Sequence, residues 1–250
     1  LRREISKMQV ARDTKRQERR RNSIPSVAIA GYTNAGKSSL LNRLTDAGVL
    51  VQNALFATLD PTVRKAETED GRIYTLSDTV GFVRHLPHQL IDAFKSTLEE
   101  VSESDLIVHV VDGANADPIG QINAVREVIR EIGGQRIPEI IALNKSDVAD
   151  LETIRTLLRS EPSAIAISVH TGAGIPKLIE AIEAALPRPK VEVKVLLPFS
   201  RGDLLNRVHE TGEILGLEHT ELGTRIHARV DEALASKLES YSVTKPTASA

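Results

Sequence analysis

The 250-residue chain has no cysteine, no tryptophan and a single methionine. Without thiols it can form neither disulfides nor thiolate metal sites, which fits a reducing, cytoplasmic location. Aromatic residues make up only 3%, too few for a surface that stacks the bases of single-stranded nucleic acid. Contacts to nucleic acid are therefore expected at phosphates, and no DNA partner is expected. No apolar run approaches 18 residues, so no membrane-spanning helix is expected. The start, L-R-R-E-I-S-K, is charged and has no signal-peptide core. It also lacks an initiator Met, the expectation for a chain that begins inside a longer protein. A monomer is expected.

The net charge is small but unevenly placed. Of the formal −2, residues 1–21 contribute +6, from nine Lys/Arg and three acids, which leaves the remainder at −8. A basic arm on an acidic body suits an anionic partner met at one end; the alternative is a solvated helix. With 41% apolar and 26% charged residues, the chain suits one large or two smaller domains, long enough to bury an ordinary core.

Residues 1–22 read as a basic helical segment with a thin apolar stripe (Leu1, Ile5, Met8), broken by N-S-I-P. From 23 to 187, apolar strand-like runs alternate with helical patterns: V-A-I-A (27–30), D-L-I-V-H-V-V-D (105–112), P-E-I-I-A-L-N (138–144) and A-I-A-I-S (164–168). Such alternation predicts an α/β domain, a mostly parallel sheet with helices on both faces. One pair of runs flanks Asp70-Gly71, a dipeptide suited to a tight turn, and predicts an antiparallel hairpin. P-R-P-K, 187–190, then reads as a stiff linker, with 188–190 between the two domains. Residues 191–242 read as a small α+β domain: strand 192–197, helix 202–211, two strands (the second 224–230) and helix 231–240. His209, His219 and His227 do not have metal-ligand spacing, and 243–250 reads as a disordered tail.

The chemistry is expected in three short segments. G-Y-T-N-A-G-K-S, 31–38, sits between a strand and a helix and fits G-x(4)-G-K-[ST]. Backbone N–H groups at such a helix start cradle phosphates. The expected nucleotide contacts are Gly31, Asn34, Ala35, Gly36, Lys37, Ser38 and Ser39. Lys37 would neutralise the β/γ-phosphates, and the Ser38 hydroxyl would ligate Mg²⁺. D-T-V-G, 78–81, supplies Asp78 for Mg²⁺ through a water, and a Gly81 N–H that senses the γ-phosphate. A threonine from L-F-A-T-L-D-P-T would complete the metal shell. Thr58 is favoured over Thr62, because Pro61 stiffens the residues after it and Thr62 enters a strand.

N-K-S-D, 144–147, names the base. An Asp147 carboxylate can accept from both N1–H and the N2 amino group of guanine, and adenine has no matching pair. Asn144 can bond N7 and the phosphate loop, and the Lys145 stem can lie along the base plane. Ser168, Val169 and His170 follow a strand, and the N–H near Val169 is expected to meet guanine O6.

Together, G-Y-T-N-A-G-K-S-S-L-L-N, L-F-A-T-L-D-P-T, D-T-V-G-F-V-R-H-L-P and N-K-S-D resemble the HflX GTPases, in the same branch as the Obg proteins. The resemblance is specific over about 22–187 and weaker beyond. It implies a P-loop GTPase fold, Mg²⁺-dependent turnover of GTP to GDP and phosphate, and action on the large ribosomal subunit, including splitting of stalled or idle ribosomes. Members usually carry a further N-terminal domain joined by a basic helical hairpin, whose last part residues 1–21 resemble. Ribosomal RNA contacts are then expected through this segment. Other readings are a GTP-gated adaptor or a GTPase assisting RNA modification. Phe82 stands where many GTPases carry a water-orienting glutamine, so it is expected to take no chemical part and basal turnover is expected to be slow. Some GTPases with an apolar residue there use a potassium ion held by a P-loop asparagine. Asn34 matches that asparagine, or else it serves the loop's own conformation. Arg84 and His85 are expected to be surface or partner contacts.

Overall fold

The computed structural model describes residues 24–45, 62–69, 71–79, 81, 98 and 100–243. They fall into two compact units, one built on Pro25–Ala66 and Thr75–Leu186, the other on Glu67–Tyr74 and Pro187–Ala250.

The sheet of the larger unit is set by its apolar runs. Val27–Ala30 of strand β1 (Ser26–Gly31) are fully buried, as are most residues of β4 (Leu106–Asp112) and β5 (Glu139–Asn144). A strand covered on both faces has no use for polar alternation. Six strands run in the order β2 (Thr62–Glu67), β3 (Ile73–Asp78), β1, β4, β5, β6 (Ala164–Ala166). Pairing is parallel from β3 to β6. Neighbours β2 and β3 are joined by only five residues, a connection that permits antiparallel pairing alone. Their turn is closed by Gly71 N–H donating to the Thr68 carbonyl (2.9 Å), with Gly71 at φ +83°. The expected glycine is there, but in the longer hairpin form that places it left-handed after the turn.

Helices cover both faces. Helix α1 (Lys37–Thr45) packs on β1, and α4 (Ile175–Ala185) packs on β5. On the opposite face lie α2 (Pro118–Glu131) and α3 (Leu151–Ser160). Their first turns are fixed by Asp117, which accepts from Gly120 N–H (2.9 Å), and by Asp150, which accepts from Thr153 N–H (2.8 Å). Such caps contribute about 1 kcal/mol each.

Two apolar clusters form beneath α2 and α3. One joins Ala28, Ala30, Leu98, Val101 and Ile107 to Val125 and Ile129; the other joins Val111, Ile141 and Leu143 to Ile122, Ile154 and Leu157. Between Ile107 and Val111, on the same face, stands the fully buried His109. Its Nδ1 lies 2.8 Å from Glu139, Arg126 bridges Glu139 (2.7 Å) and Glu161 (2.8 Å), and a polar seam thus links β4, β5, α2 and the end of α3. Burial pulls the Glu139 carboxyl upward, but hydrogen bonds from His109 and Arg126 and their charges outweigh it and hold it below 4.5. Sequence periodicity shows only apolar character here.

In the second unit, β7 (Val191–Leu197), β9 (Gly223–Val230) and β8 (Glu213–Thr220) form an antiparallel sheet, in that order. Helices α5 (Gly202–Thr211) and α6 (Glu232–Leu238) contribute Leu204, Val208, Leu234 and Leu238 to a core with Val195, Leu197, Ile226, Ala228 and Val230. These elements lie within one or two residues of the expected ones, because each carries its own alternation, cap or glycine. Arg72, at the hairpin tip, is 4% exposed and donates to the Pro187 carbonyl (3.3 Å). The tip therefore sorts with this unit rather than with the expected nucleotide domain.

Candidate nucleotide site

The carboxyl ends of β1, β4, β5 and β6 lie side by side, and the segments that follow β1, β5 and β6 share one cleft. This is where open parallel sheets bind ligands. A cavity of ≈ 580 Å³ is lined by Asn34 and Gly36 from the loop after β1 and Ser39 from α1, by Asn144 at the end of β5 with Lys145, Asp147 and Val148 beyond it, and by Val169 and His170 after β6. Segments up to 136 residues apart in sequence are thus brought together.

The glycines have identifiable reasons. Gly31 lies at φ +151°, and a Cβ there would stand 2.2 Å from the Val110 carbonyl oxygen of β4. Gly36 lies at φ +101°, and its Cβ would stand 2.3 Å from Asn144 Nδ2. A Cβ on Gly81 would meet Thr33 Cγ2 at 2.7 Å and Lys37 Nζ at 3.2 Å, so the D-T-V-G segment passes close against the phosphate loop. Asn34 lies at φ +62°, a left-handed position that asparagine tolerates better than most residues. The loop's geometry alone is therefore enough reason for an asparagine there.

Lys37 is 7% exposed, and its Nζ donates to the Tyr32 carbonyl (3.0 Å). Burial lowers its pKa to about 8, although the charge of Asp78 opposes the shift. An anion beside it would restore the ordinary preference for the ammonium form. The Ser38 hydroxyl donates to Asp78 Oδ2 at 2.6 Å, so two of the three expected Mg²⁺-binding side chains touch. Along the strand that delivers Asp78, the hydroxyls of Thr75, Ser77 and Thr79 donate to the carbonyls of Pro25, Val27 and Ile29. These bonds tie β3 to β1 and were not expected from sequence.

Asn144, 4% exposed, joins three loops. Its Nδ2 donates to the Ala35 carbonyl (2.8 Å), and its Oδ1 accepts from Val169 N–H (3.0 Å). The Val169 N–H expected to face guanine O6 is therefore engaged by Asn144 in this structure. The asparagine's amide oxygen is the acceptor that the register of β5 and β6 brings to it. The exposed Asp147 carboxylate is held below its ordinary range, chiefly by a hydrogen bond from the Ser168 hydroxyl. That hydroxyl also accepts from Thr171 N–H (3.1 Å) and is fully buried. The buried Ser168 hydroxyl thus lies beside the Asp147 carboxylate.

Lys145 stands at φ +63°, which for a non-glycine residue costs about 1–3 kcal/mol. Its Nζ lies 2.6 Å from Asp112 Oδ2. Asp112 was missed from sequence, where it read only as the end of a strand. Thr58, Phe82, Arg84, His85 and residues 1–22 lie outside the described residues.

Comparison with known proteins agrees with this geometry. A family described as "50S ribosome-binding GTPase" matches residues 26–145. The GTPase HflX of Lacrimispora saccharolytica is 42% identical over 95% of this chain and 56% of its own length. That of Escherichia coli K12 is 39% identical over 82% of this chain and 49% of its own. The chain therefore spans about half the length of the curated relatives it matches. Among solved structures, a GTP-binding protein from Sulfolobus solfataricus in complex with GDP is 31% identical, with a TM-score of 0.53 over 73% of this chain and 58% of its own. Aquifex aeolicus Era, at 17% identity and a TM-score of 0.57 over 80% of this chain and 75% of its own, shares the fold. Fold, cleft and similarity define a P-loop GTPase fold. Within that class the chain belongs to the HflX family.

Proposed function

We propose that the cleft binds guanine nucleotide and hydrolyses GTP to GDP and phosphate, water attacking the γ-phosphate, and that the protein acts as a switch on the large ribosomal subunit. The observation that carries the nucleotide reading is Asn144, which ties Ala35 of the phosphate loop to Val169 beside Asp147. One side chain couples the phosphate end of the site to the base end. Asp147, aimed by Ser168, reads the two guanine donors, and the Lys145 stem lies along the base. Lys37 offsets charge on the β- and γ-phosphates, and the Gly81 N–H senses the γ-phosphate.

The residues fit Mg²⁺. Ser38 and Asp78 present hard oxygen atoms in contact, and Mg²⁺ bound with phosphates typically takes one or two protein oxygens plus water. Among the described residues no group of three or more His, Cys, Asp or Glu forms an all-protein cage. Ser38, Asp78 and Thr58 would hold the ion, which when bound spreads the charge of the β- and γ-oxygens. Asn34, which lines the cleft, is the residue that would hold a potassium ion. On that reading Asn34→Ala abolishes any rate advantage of K⁺ over Na⁺, measured as phosphate release in matched salts.

The ribosomal part rests on the family description and on the resemblance of the motifs to the HflX GTPases. For the full-length protein we extend it to separation of ribosomal subunits. The test is cosedimentation with separated subunits, with GDP or a non-hydrolysable GTP analogue. The expected result is GTP-analogue-dependent recovery with the large subunit. Equal recovery with both nucleotides, or none, would sink the switch reading, and turnover unaffected by large subunits would favour a GTP-gated adaptor.

A further inference from the structure

We propose that Asp112 is a positioning residue for the nucleotide base, acting through Lys145. The inference rests on the guanine-site reading above and adds a residue that no sequence motif contains.

Asp112 ends β4 and is paired in register with Asn144 at the end of β5. The two exits are stapled together just beyond, where Gly113 N–H donates to the Asn144 carbonyl (2.8 Å). A Cβ on Gly113 would stand 2.7 Å from Ile154 Cδ1 and 3.1 Å from the Asn144 oxygen. The chain therefore passes too tightly there for a larger residue. This fixes where the Asp112 carboxylate begins. Its Oδ1 then accepts from Ala114 N–H (3.0 Å), which orients the group, and its Oδ2 receives Lys145 Nζ at 2.6 Å. The carboxylate is thus anchored by backbone on one oxygen and presented to the lysine on the other.

Lys145 has reason to need such an anchor. It is about one-third exposed, it lines the cleft, and its left-handed backbone is held by Val148 and Ala149 N–H groups donating to its carbonyl. Those bonds fix the main chain and leave four methylenes free to rotate. A lysine stem loses substantial rotamer freedom when it must lie flat against a ring. Pinning Nζ at Asp112 removes that freedom before the base arrives, so less is lost on binding. Asp112 does not line the cavity, and its effect must pass through the lysine.

Two consequences separate this role from general stability. A contact to the face of a base does not read its edge, so loss of Asp112 should weaken all purine nucleotides alike. The effect should also vanish when Lys145 is absent. The experiment is stopped-flow dissociation of fluorescent N-methylanthraniloyl GDP, IDP and XDP from the full 250-residue chain. The variants are Asp112→Asn, Lys145→Ala, the double variant and Asp147→Asn. Asp112→Asn keeps the oxygen that accepts from Ala114 and loses the charge. Expected are a roughly tenfold faster release of all three nucleotides from Asp112→Asn, no further acceleration in the Lys145→Ala background, and an unmoved thermal midpoint without nucleotide. Unchanged release from Asp112→Asn, or an equal acceleration with and without Lys145, overturns the proposal. Asp147→Asn reports separately on the underlying reading. If it still holds GDP as wild type does, the guanine assignment itself fails. If it loses GDP while Asp112→Asn does not, only the positioning role fails.

Discussion

The base-reading role proposed for Asp147 depends on its neighbours as well as on the residue itself. Its carboxylate is exposed, and the buried Ser168 hydroxyl beside it, which accepts from Thr171 N–H, helps hold it below its ordinary range. Asp147→Asn turns one acceptor into a donor facing guanine's own donors. GDP affinity should fall by about 30-fold or more, and xanthine nucleotide should gain. Competition binding with GDP and XDP measures both, and unaltered GDP binding would remove this residue from the site. Gly36 is the second sensitive position. Gly36→Ala adds a Cβ 2.3 Å from Asn144 Nδ2 at φ +101°, where strain of about 1–3 kcal/mol is expected. Either the phosphate loop or the Asn144 link must give way, and nucleotide affinity should drop at least tenfold, which equilibrium titration would show.

At the scale of elements, the polar seam decides how α2 sits on the sheet. Arg126→Ala leaves Glu139 half-buried with His109 as its remaining partner and should cost about 2 kcal/mol. The pH dependence is set by the sign of the Glu139 shift. Its carboxyl is held below 4.5 in the folded chain, so the unfolded chain binds the proton first as pH falls. The stabilisation is then complete above about pH 5 and is lost as pH falls through the folded value. Urea midpoints measured at pH 6 and pH 4 should fall less for Glu139→Gln than for wild type. Equal falls would mean that the seam carries no acid-linked stability.

Across the whole molecule, charge is the coarse organiser. If residues 1–21 meet an RNA surface, their +6 against −8 elsewhere would make that association salt-dependent. Deleting residues 1–22 should flatten the slope of log affinity against log salt for large-subunit binding, by roughly one unit for each phosphate that the segment neutralises. Affinity for GTP should stay as it was. An unchanged slope would return this segment to the role of a solvated helix. No helix among the described residues is long and apolar enough to cross a membrane.

What the sequence determined by itself is local. G-Y-T-N-A-G-K-S carries its strand, turn and helix within a dozen residues, and Asp70-Gly71 carries its own hairpin. The apolar runs fix strands whose two faces are both buried. Each signal lies within the reach of one turn or one period, so no knowledge of neighbours was needed. The proposed guanine motif, N-K-S-D, was legible for the same reason, as four contiguous residues. The tertiary structure decided what those residues touch. Asn144 meets Ala35 across 109 residues, and Lys145 meets Asp112 across 33. His109 meets Glu139 across 30, inside an otherwise apolar run. The strand expected over 164–168 ends at Ala166, because Ser168 N–H turns to Ala173 and the loop goes on to line the cleft with Val169 and His170. These pairings depend on strand order and register: β1 lies between β3 and β4, and β5 lies between β4 and β6. No period or propensity encodes that order, since it arises from how crossover helices lay successive strands on either side of β1.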